Sequence, residues 1–197
     1  NFIVSVYEGE ASSGRNIYAS ISFDSSISFI EPVVINSSKS KINNNPRVSI
    51  SSQGTIYVMW HLLSGEKSES KIFYSFSNDM GANWSAPVEI GFGLQLEMLP
   101  IPLFDNRDDL HIFFTAYRDG QFNLFHSIKK NNNESFGAAK SIAALKGNIR
   151  GAFFPSVKFE GRKGIIVWQS KEESFIDHLY SVGTDNFGQT WSRVNKI

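Results

Sequence analysis

The sequence contains no cysteine, no long apolar run and no excess of either charge, and each absence narrows the possible functions. Without cysteine there is neither a disulfide framework nor a thiolate metal site. No apolar stretch reaches the roughly 20 residues that a membrane-spanning helix needs, so membrane insertion is not expected. Nineteen basic and nineteen acidic side chains cancel. The chain therefore has no overall field that would bind nucleic acid or an anionic membrane surface.

The histidines also lack the spacing that is typical of metal ligands. The four histidines, His61, His111, His126 and His178, are scattered without the i, i+4 spacing of paired ligands on a helix. We therefore expect no zinc site, and nothing in the sequence indicates a cofactor. The chain starts with Asn1 rather than methionine, and a strand pattern begins at once. This start suggests that a signal peptide or an upstream domain has been removed.

What the sequence does contain is a globular composition with a strong β pattern. The 197 residues are 41% hydrophobic and 14% aromatic, which is enough for one domain with a sizeable core. Short runs rich in aromatic and β-branched residues alternate with turn-forming residues, as is typical of strands. No segment has a 3.6-residue apolar period long enough for a helix. The sequence therefore predicts an all-β fold.

The strand pattern repeats. Aromatic residues that follow a polar turn recur at Phe29, Trp84, Phe136 and Trp191, with spacings of 55, 52 and 55 residues. A unit of about 50 residues with four short strands is typical of a β-propeller blade. An immunoglobulin-like sandwich, the main alternative, predicts no repeat of this length. A single β-propeller domain or fragment is expected over 1–197, with blades at about 1–35, 43–90, 97–142 and 152–197.

The first repeat is incomplete. Residues 2–7 align with 57–62, the second strand of the next repeat, so the first blade lacks its innermost strand. Three strands and three blades of four give an expected total of fifteen strands. Open edges of this kind expose apolar faces and unpaired backbone groups. We therefore expect the chain to be a fragment that dimerises or aggregates alone, and to partner further blades of the same protein or a second copy.

One turn pattern, S-x-D-x-G-x-x-W, occurs twice. The complete copy lies between two predicted strands, at Ser77, Asp79, Gly81 and Trp84. A looser copy keeps the spacing, with threonine and asparagine as its first two residues, at Thr184, Asn186, Gly188 and Trp191. The pattern resembles the Asp-box, or BNR repeat, of sialidase-like (neuraminidase-like) β-propellers. This resemblance implies a six-bladed ring, of which the chain supplies about four blades, and a secreted or cell-surface protein.

These turn residues are expected to support the fold rather than to bind a ligand. A tight hairpin leaves backbone N–H groups without partners, and serine or aspartate side chains can accept them. Gly81 is expected to adopt a positive φ, and Trp84 to bury its ring against the sheet. A carboxylate that acted as a general acid would instead need a cleft and a partner group.

A ligand site is expected at the opposite end of the propeller, on the loops between second and third strands and on the innermost strands. Several arginines converge there, and together they would suit a carboxylate, because a guanidinium binds it with two hydrogen bonds. These segments supply the candidates Arg15, Arg47, His61, Glu66, Glu97, Tyr117, Arg118, Asp119, Arg150 and Glu172. We predict ligand binding for five of them, Arg47, Glu97, Tyr117, Arg118 and Arg150.

The resemblance does not extend to a catalytic set. Sialidases of this fold hold the sugar carboxylate with three arginines, and they use a tyrosine paired with a glutamate as nucleophile and an aspartate as acid and base. No Arg-Ile-Pro segment, which marks the first of these arginines, is present, and Arg47 lies in Asn-Pro-Arg-Val. Tyr117 and Glu97 carry no motif that attaches them to the catalytic roles.

Three functions remain open. The first is a sialidase-like propeller without a recognisable catalytic set in this chain, which recognises a glycan or a protein through its loop end. The second is an exo-sialidase-type glycoside hydrolase with catalytic residues partly outside this chain. The third is a structural interaction module of a larger surface protein. Propellers carry many functions, so the fold cannot choose between them, and the first is the function predicted.

Overall fold

The structure is a computed structural model that describes residues 2–12, 14–36, 42–64, 69–142, 150–171 and 177–197. Over these residues the chain forms fifteen strands and no helix, so the all-β prediction is confirmed, and the strand number equals the number expected. Within the same residues, no helix is long and apolar enough to cross a membrane. The chain divides into two compact units, Asn1–Gly91 and Phe92–Ile197.

The first unit contains seven strands. They are β1 (Ile3–Ala11), β2 (Gly14–Ser22), β3 (Val33–Val34), β4 (Ile42–Ile50), β5 (Ile56–Ser64), β6 (Glu69–Ser77) and β7 (Val88–Ile90). Strands β1 to β3 pair antiparallel in chain order and are called sheet 1 here, and β4 to β7 do the same and are called sheet 2. A single parallel bridge between Arg15 and Ile42 joins β2 to β4.

The second unit contains eight strands. They are β8 (Gln95–Phe104), β9 (Leu110–Arg118), β10 (Gln121–Lys129), β11 (Lys140–Ser141), β12 (Arg150–Glu160), β13 (Lys163–Lys171), β14 (Asp177–Thr184) and β15 (Asn195–Lys196). Two four-stranded antiparallel sheets result, sheet 3 from β8 to β11 and sheet 4 from β12 to β15. Consecutive strands lie side by side in both sheets, so short hairpins connect most of them.

The core of the first unit lies between sheets 1 and 2. Ile17, Ala19 and Ile21 alternate along β2 and are each at most 1% exposed. They share one face because successive side chains of a strand point to opposite sides. Trp60 of β5 is buried in the same cluster, and Trp84 packs against it from the turn after β6. Burial of these apolar side chains holds the two sheets together.

The opposite face of sheet 1 is exposed. Tyr7 is 40% exposed and stacks on Tyr18, and Phe29 is 44% exposed. Tyr7 and Phe29, together with Ser5 and Ile30, line a shallow groove of about 260 Å³. Sheet 1 therefore buries one of its two faces within its own unit.

The core of the second unit lies between sheets 3 and 4. Phe113 of β9 and Leu124 of β10 are fully buried beside Trp168 of β13 and Tyr180 of β14. Trp191, from the turn after β14, meets Phe113 edge-on, with ring centroids 5.9 Å apart. Large rings dominate this core because each of them buries more apolar surface than an aliphatic side chain.

Candidate functional site

The turn after β6 is closed by its own side chains. The hydroxyl of Ser77 donates to Asp79 Oδ1 at 2.8 Å and accepts the N–H of Gly81 at 2.8 Å. Asp79 Oδ1 also accepts the N–H of Asn83 at 2.9 Å. Gly81 has a φ of +86°, and Trp84 packs into the core of the first unit. The Ser77 hydroxyl and the Asp79 carboxylate therefore serve neighbours within the turn.

The same hydrogen bonds recur in two further turns. In the turn after β14, the hydroxyl of Thr184 donates to Asn186 Oδ1 at 2.9 Å and accepts the N–H of Gly188 at 3.1 Å. In the turn after β2, Ser22 Oγ accepts the N–H of Ser26, whose φ is +72° although it is not glycine. An asparagine can thus replace the aspartate of the pattern, and a serine can replace its glycine, without loss of the turn.

The turn after β10 obtains its carboxylate from elsewhere. It has no aspartate of its own, and Asp109, which precedes β9, accepts the N–H of Asn131 at 3.0 Å. The same carboxylate accepts a hydrogen bond from Lys130 Nζ at 2.7 Å. The hairpin between β8 and β9, at the same end of sheet 3, therefore closes this turn.

Replacement of Asp79 by alanine is expected to lower the melting temperature by a few degrees and to leave ligand binding unchanged. Hydrogen bonds from Asn83 and from Ser77 hold the pKa of Asp79 below its ordinary value, so the ionised carboxylate is the form that closes the turn. Thermal unfolding measures the effect, and Asp185→Ala, which removes an exposed carboxylate from the corresponding turn of sheet 4, is the control. Lost binding at an unchanged melting temperature would instead make Asp79 a ligand residue.

The first strands of sheets 2, 3 and 4 share a strained bulge. The backbone is left-handed at Asn45 of β4, Leu99 of β8 and Phe154 of β12, with φ of +52°, +53° and +50°. Register with the neighbouring strand shifts at each place. The next residue is a proline every time, Pro46, Pro100 or Pro155. Strain of this kind costs about 1–3 kcal/mol per residue and is concentrated at binding and active sites.

In the first unit the bulge lies beside an ion-pair cluster. Arg15 Nη1 donates to Glu8 Oε2 at 3.0 Å and to Asn44 Oδ1 at 2.9 Å. Its guanidinium also lies 3.3 Å from Glu10 Oε1. The left-handed Asn45 donates its N–H to Glu8 Oε1 at 2.7 Å. Glu8 therefore connects β1 to the bulge, and two carboxylates already engage Arg15.

Arg47 and His61, both predicted near a ligand, differ in exposure. Arg47 lies opposite Met59 just after the bulge of β4, and its side chain is exposed. His61 is 4% exposed. Burial lowers its pKa to about 4, and the Glu8 carboxylate only partly opposes this shift. Arg47 therefore offers a solvent-facing cation, whereas His61 is a buried neutral ring at pH 7.

Glu97 is fully buried in β8. Its Oε1 accepts the N–H of Phe92 at 3.2 Å and the N–H of Leu94 at 3.0 Å. A ligand could reach this oxygen only if the segment that leads into β8 moved. Tyr117 pairs with Gln95, two residues before Glu97, so the strand pairing brings these two predicted residues near each other. These two hydrogen bonds indicate that Glu97 supports the segment between β7 and β8.

Of the remaining predicted residues, Arg118 ends β9 with an exposed side chain. Its Nε lies 3.6 Å from Asp119 Oδ2, a loose surface ion pair. Arg150 starts β12, but its side chain lies outside the described residues. Glu66 and Glu172 also fall outside them. Arg47 belongs to the first unit and the other four predicted ligand residues belong to the second.

An aromatic group surrounds the bulge of β12. Phe154 is 72% exposed, although its backbone is strained. Phe153 meets Phe122 at a centroid distance of 5.8 Å, and Phe122 meets Tyr117 edge-on at 5.4 Å. Gly151 has a φ of +83°, and a Cβ there would lie 2.7 Å from the Phe153 ring. A glycine is therefore needed for Phe153 to lie across the strand, and the exposed ring of Phe154 can stack on a ligand.

The sequence interpretation missed the bulges, Glu8 and Phe154. A signal was present, because the three prolines recur at spacings of 54 and 55 residues. Proline alone does not indicate a left-handed neighbour, since the residue before it prefers an extended backbone. Among the described residues, no group of three or more His, Asp or Glu side chains is arranged to hold a metal ion.

No family model and no curated protein matches this sequence. Solved structures with similar folds include the Hadza microbial sialidase Hz136, with a TM-score of 0.69 and 15% identity over 97% of this chain and 43% of that chain. NanB sialidase from Streptococcus pneumoniae, as its K499G mutant, has a TM-score of 0.69 and 10% identity over 100% of this chain and 50% of that chain. The GH93 α-L-arabinofuranosidase of Fusarium graminearum, in a complex with arabinobiose, has a TM-score of 0.69 and 16% identity over 100% of this chain and 63% of that chain.

The chain thus spans about half of the length of these proteins. At such low identity the similarity shows the fold alone. The chain has the all-β, sialidase-like fold that propeller glycosidases share.

Proposed function

We propose that the chain is part of a sialidase-like β-propeller that recognises a glycan at the bulged first strands of its blades. Sheets 1 to 4 are the blades in this proposal, and the turns after β2, β6 and β14 are Asp-boxes. The fold similarity to glycoside hydrolases supports a glycan-related role. We further propose a secreted or cell-surface location, and partners that cover sheet 1 with a further blade or a second copy of the chain.

The observation that carries the proposal is the strain repeated in β4, β8 and β12. A left-handed leucine and a left-handed phenylalanine are costly, and the strain recurs at the same place in sheets 2, 3 and 4. Around the bulges the chain presents two kinds of group that bind sugars. In the first unit the ion pairs of Arg15 with Glu8 and Glu10 offer hydrogen bonds to hydroxyl groups, and in the second unit Phe154 offers an aromatic face.

A glycan array with the 197-residue chain tests the proposal, with Phe154→Ala as the site variant. Binding that Phe154→Ala weakens, while Phe23→Ala leaves it unchanged, supports recognition at the bulges. Phe23 is a suitable control because its ring is also exposed, at 54%, and lies in the turn after β2. Binding to no glycan on the array, or equal loss in both variants, would contradict the proposal.

Hydrolysis is tested separately with fluorogenic sialosides and arabinofuranosides. A glycosidase needs two groups across the scissile bond, and in most families both are carboxyl groups. Turnover by the chain that Glu8→Gln abolishes would replace the binding proposal with the hydrolase alternative. Binding of a protein partner without any glycan affinity would favour the interaction module.

Removal of the predicted arginines is expected to weaken binding of an acidic sugar about tenfold at low salt, and less at high salt, because exposed charge pairs are individually weak and are screened. The variant combines Arg47→Ala, Arg118→Ala and Arg150→Ala. Its control removes three exposed cations in or beside turns by replacing Arg162, Lys163 and Arg193 with alanine. Calorimetric titration with sialic acid measures the change. Equal affinities for both variants would exclude these arginines from binding of the acidic sugar.

A further inference from the structure

Two buried histidines of sheet 3 are in direct contact. His111 Nδ1 lies 2.9 Å from His126 Nε2, and the two rings are nearly parallel with an angle of 12° between them. His111 is 0% exposed and His126 is 4% exposed. A distance of 2.9 Å between two ring nitrogens requires that one of them carries the shared proton.

The outer nitrogens of the pair face groups that accept hydrogen bonds. His111 Nε2 lies 3.4 Å from Asp105 Oδ2. His126 forms a hydrogen bond with the backbone of Gly188, which raises the pKa of that histidine and so favours a proton on its outer nitrogen. Gly188 belongs to the turn after β14, so the row Asp105, His111, His126, Gly188 runs from sheet 3 to sheet 4.

A count of protons shows what this row lacks. Three contacts join its four members, and each contact needs one ring proton to become a hydrogen bond. Two neutral imidazoles carry only two such protons. At 3.4 Å, the contact between His111 and Asp105 is longer than the 2.9 Å contact between the two rings, and we assign it as the contact without a proton. Both rings then carry their proton on Nδ1.

We propose that this pair is a proton-binding site which responds to acid pH. One proton enters at His111 Nε2, completes a charge-assisted hydrogen bond to Asp105, and leaves the bonds from His111 to His126 and from His126 to Gly188 in place. Uptake of that proton adds a charged hydrogen bond within sheet 3, between His111 and Asp105. A second proton, on His126 Nε2, would displace the His111 hydrogen bond and break the row.

The surrounding charges set the order of uptake. Burial lowers the pKa of His111, and the Asp105 and Asp109 carboxylates oppose this shift, whereas Arg107 adds to it. Burial, His111 and Lys140 lower the pKa of His126 to about 3, against the Gly188 hydrogen bond. His111, which lies beside the carboxylates, is therefore the first of the two rings to take up a proton.

Two cations neutralise the two carboxylates beside His111. Arg107 Nη2 lies 2.7 Å from Asp105 Oδ2 and 3.3 Å from Asp109 Oδ2, and Lys130 Nζ lies 2.7 Å from Asp109 Oδ2. From sheet 4 and its turn, the neighbours of the two rings are the uncharged rings of Phe159 and Trp191. The added proton is therefore the one net charge that the row gains on acidification.

Nitrogen-15 NMR of the histidine side chains in the 197-residue chain tests the proposal. At pH 7.5 both rings should be neutral with their proton on Nδ1. On acidification His111 should titrate before His126, and His126 should keep its tautomer until His111 is protonated. A proton on Nε2 of either ring at pH 7.5, or titration of His126 first, would overturn the proposal.

Two variants make the test specific. Asp105→Asn should lower the pH at which His111 titrates by about 1–3 units, because it removes the carboxylate that stabilises the imidazolium. Its amide oxygen can still accept the N–H groups of Arg107 and Asp109 that close the hairpin. His111→Asn should abolish the first uptake and retain the Nδ1 proton of His126, since an amide N–H can replace His111 Nδ1. An unchanged first titration in either folded variant would contradict the assignment.

Discussion

Replacement of Gly81 by alanine is expected to destabilise the first unit by roughly 3 kcal/mol, as the sum of a backbone term and a packing term. The backbone term arises because φ is +86°, where a side chain is strained. The packing term arises because the new Cβ would overlap Cδ1 of Ile21 and lie 3.2 Å from its Cγ1. Ile21 is 1% exposed in the core between sheets 1 and 2, so it has little room to move.

Gly120→Ala separates the two terms. Gly120 has a φ of +83°, close to that of Gly81, and no atom lies within 4 Å of its Cβ position. This control should therefore lose only the backbone term, about 1 kcal/mol. Urea unfolding followed by tryptophan fluorescence measures both variants. Equal losses would show that the turn after β6 does not press against sheet 1.

Acidification from pH 6.5 to pH 4 is expected to remove roughly 3 kcal/mol of stability through His61 alone, as an upper value. Burial lowers the pKa of His61 from 6.5 to about 4, with the Glu8 carboxylate opposing the shift. The folded chain therefore holds this ring neutral while the unfolded chain protonates it. The stabilisation is complete above pH 6.5 and is lost as the pH falls towards 4.

The pH dependence of the urea midpoint measures this loss. In His61→Gln the fall between pH 6.5 and pH 4 should be shallower, because the variant has no ring to protonate on unfolding. His178→Gln is the control, since the side chain of His178 in β14 stays partly exposed. If the slope of His61→Gln matched that of the parent chain, His61 would not be the residue that makes the fold sensitive to acid.

The sequence predicted the strands and the turn positions well, because both depend on local patterns. Alternation of apolar side chains locates strands, and a four-residue turn pattern appears at fixed offsets whatever surrounds it. The histidine pair could also have been found. Asp119 and Gly120 both have positive φ and form a two-residue turn, as Asp-Gly typically does, and this turn fixes the register of β9 with β10. His111 and His126 then lie diagonally across the two strands.

Other features depend on residues far apart in the chain, and no local pattern reports them. Glu8 meets Asn45 across 37 positions, through the contact between β1 and β4. Glu97 is of a residue type that often binds ligands, but it is buried, because the segment that enters β8 folds over it. The predicted role of Arg47 and Arg118 in ligand binding stays a prediction, and both side chains are exposed as such a role requires.

Asp109 supplies a carboxylate to the turn after β10, and this has a consequence for how such repeats diverge in sequence. That turn keeps its shape with none of the motif's acidic residues of its own, because Asp109 supplies the acceptor for Asn131 and Lys130. Selection can then relax on residues 131–137 while it tightens on position 109. A motif search counts such a repeat as lost, although its architecture survives. Covariation between the two hairpins of a sheet would reveal these hidden copies in related sequences.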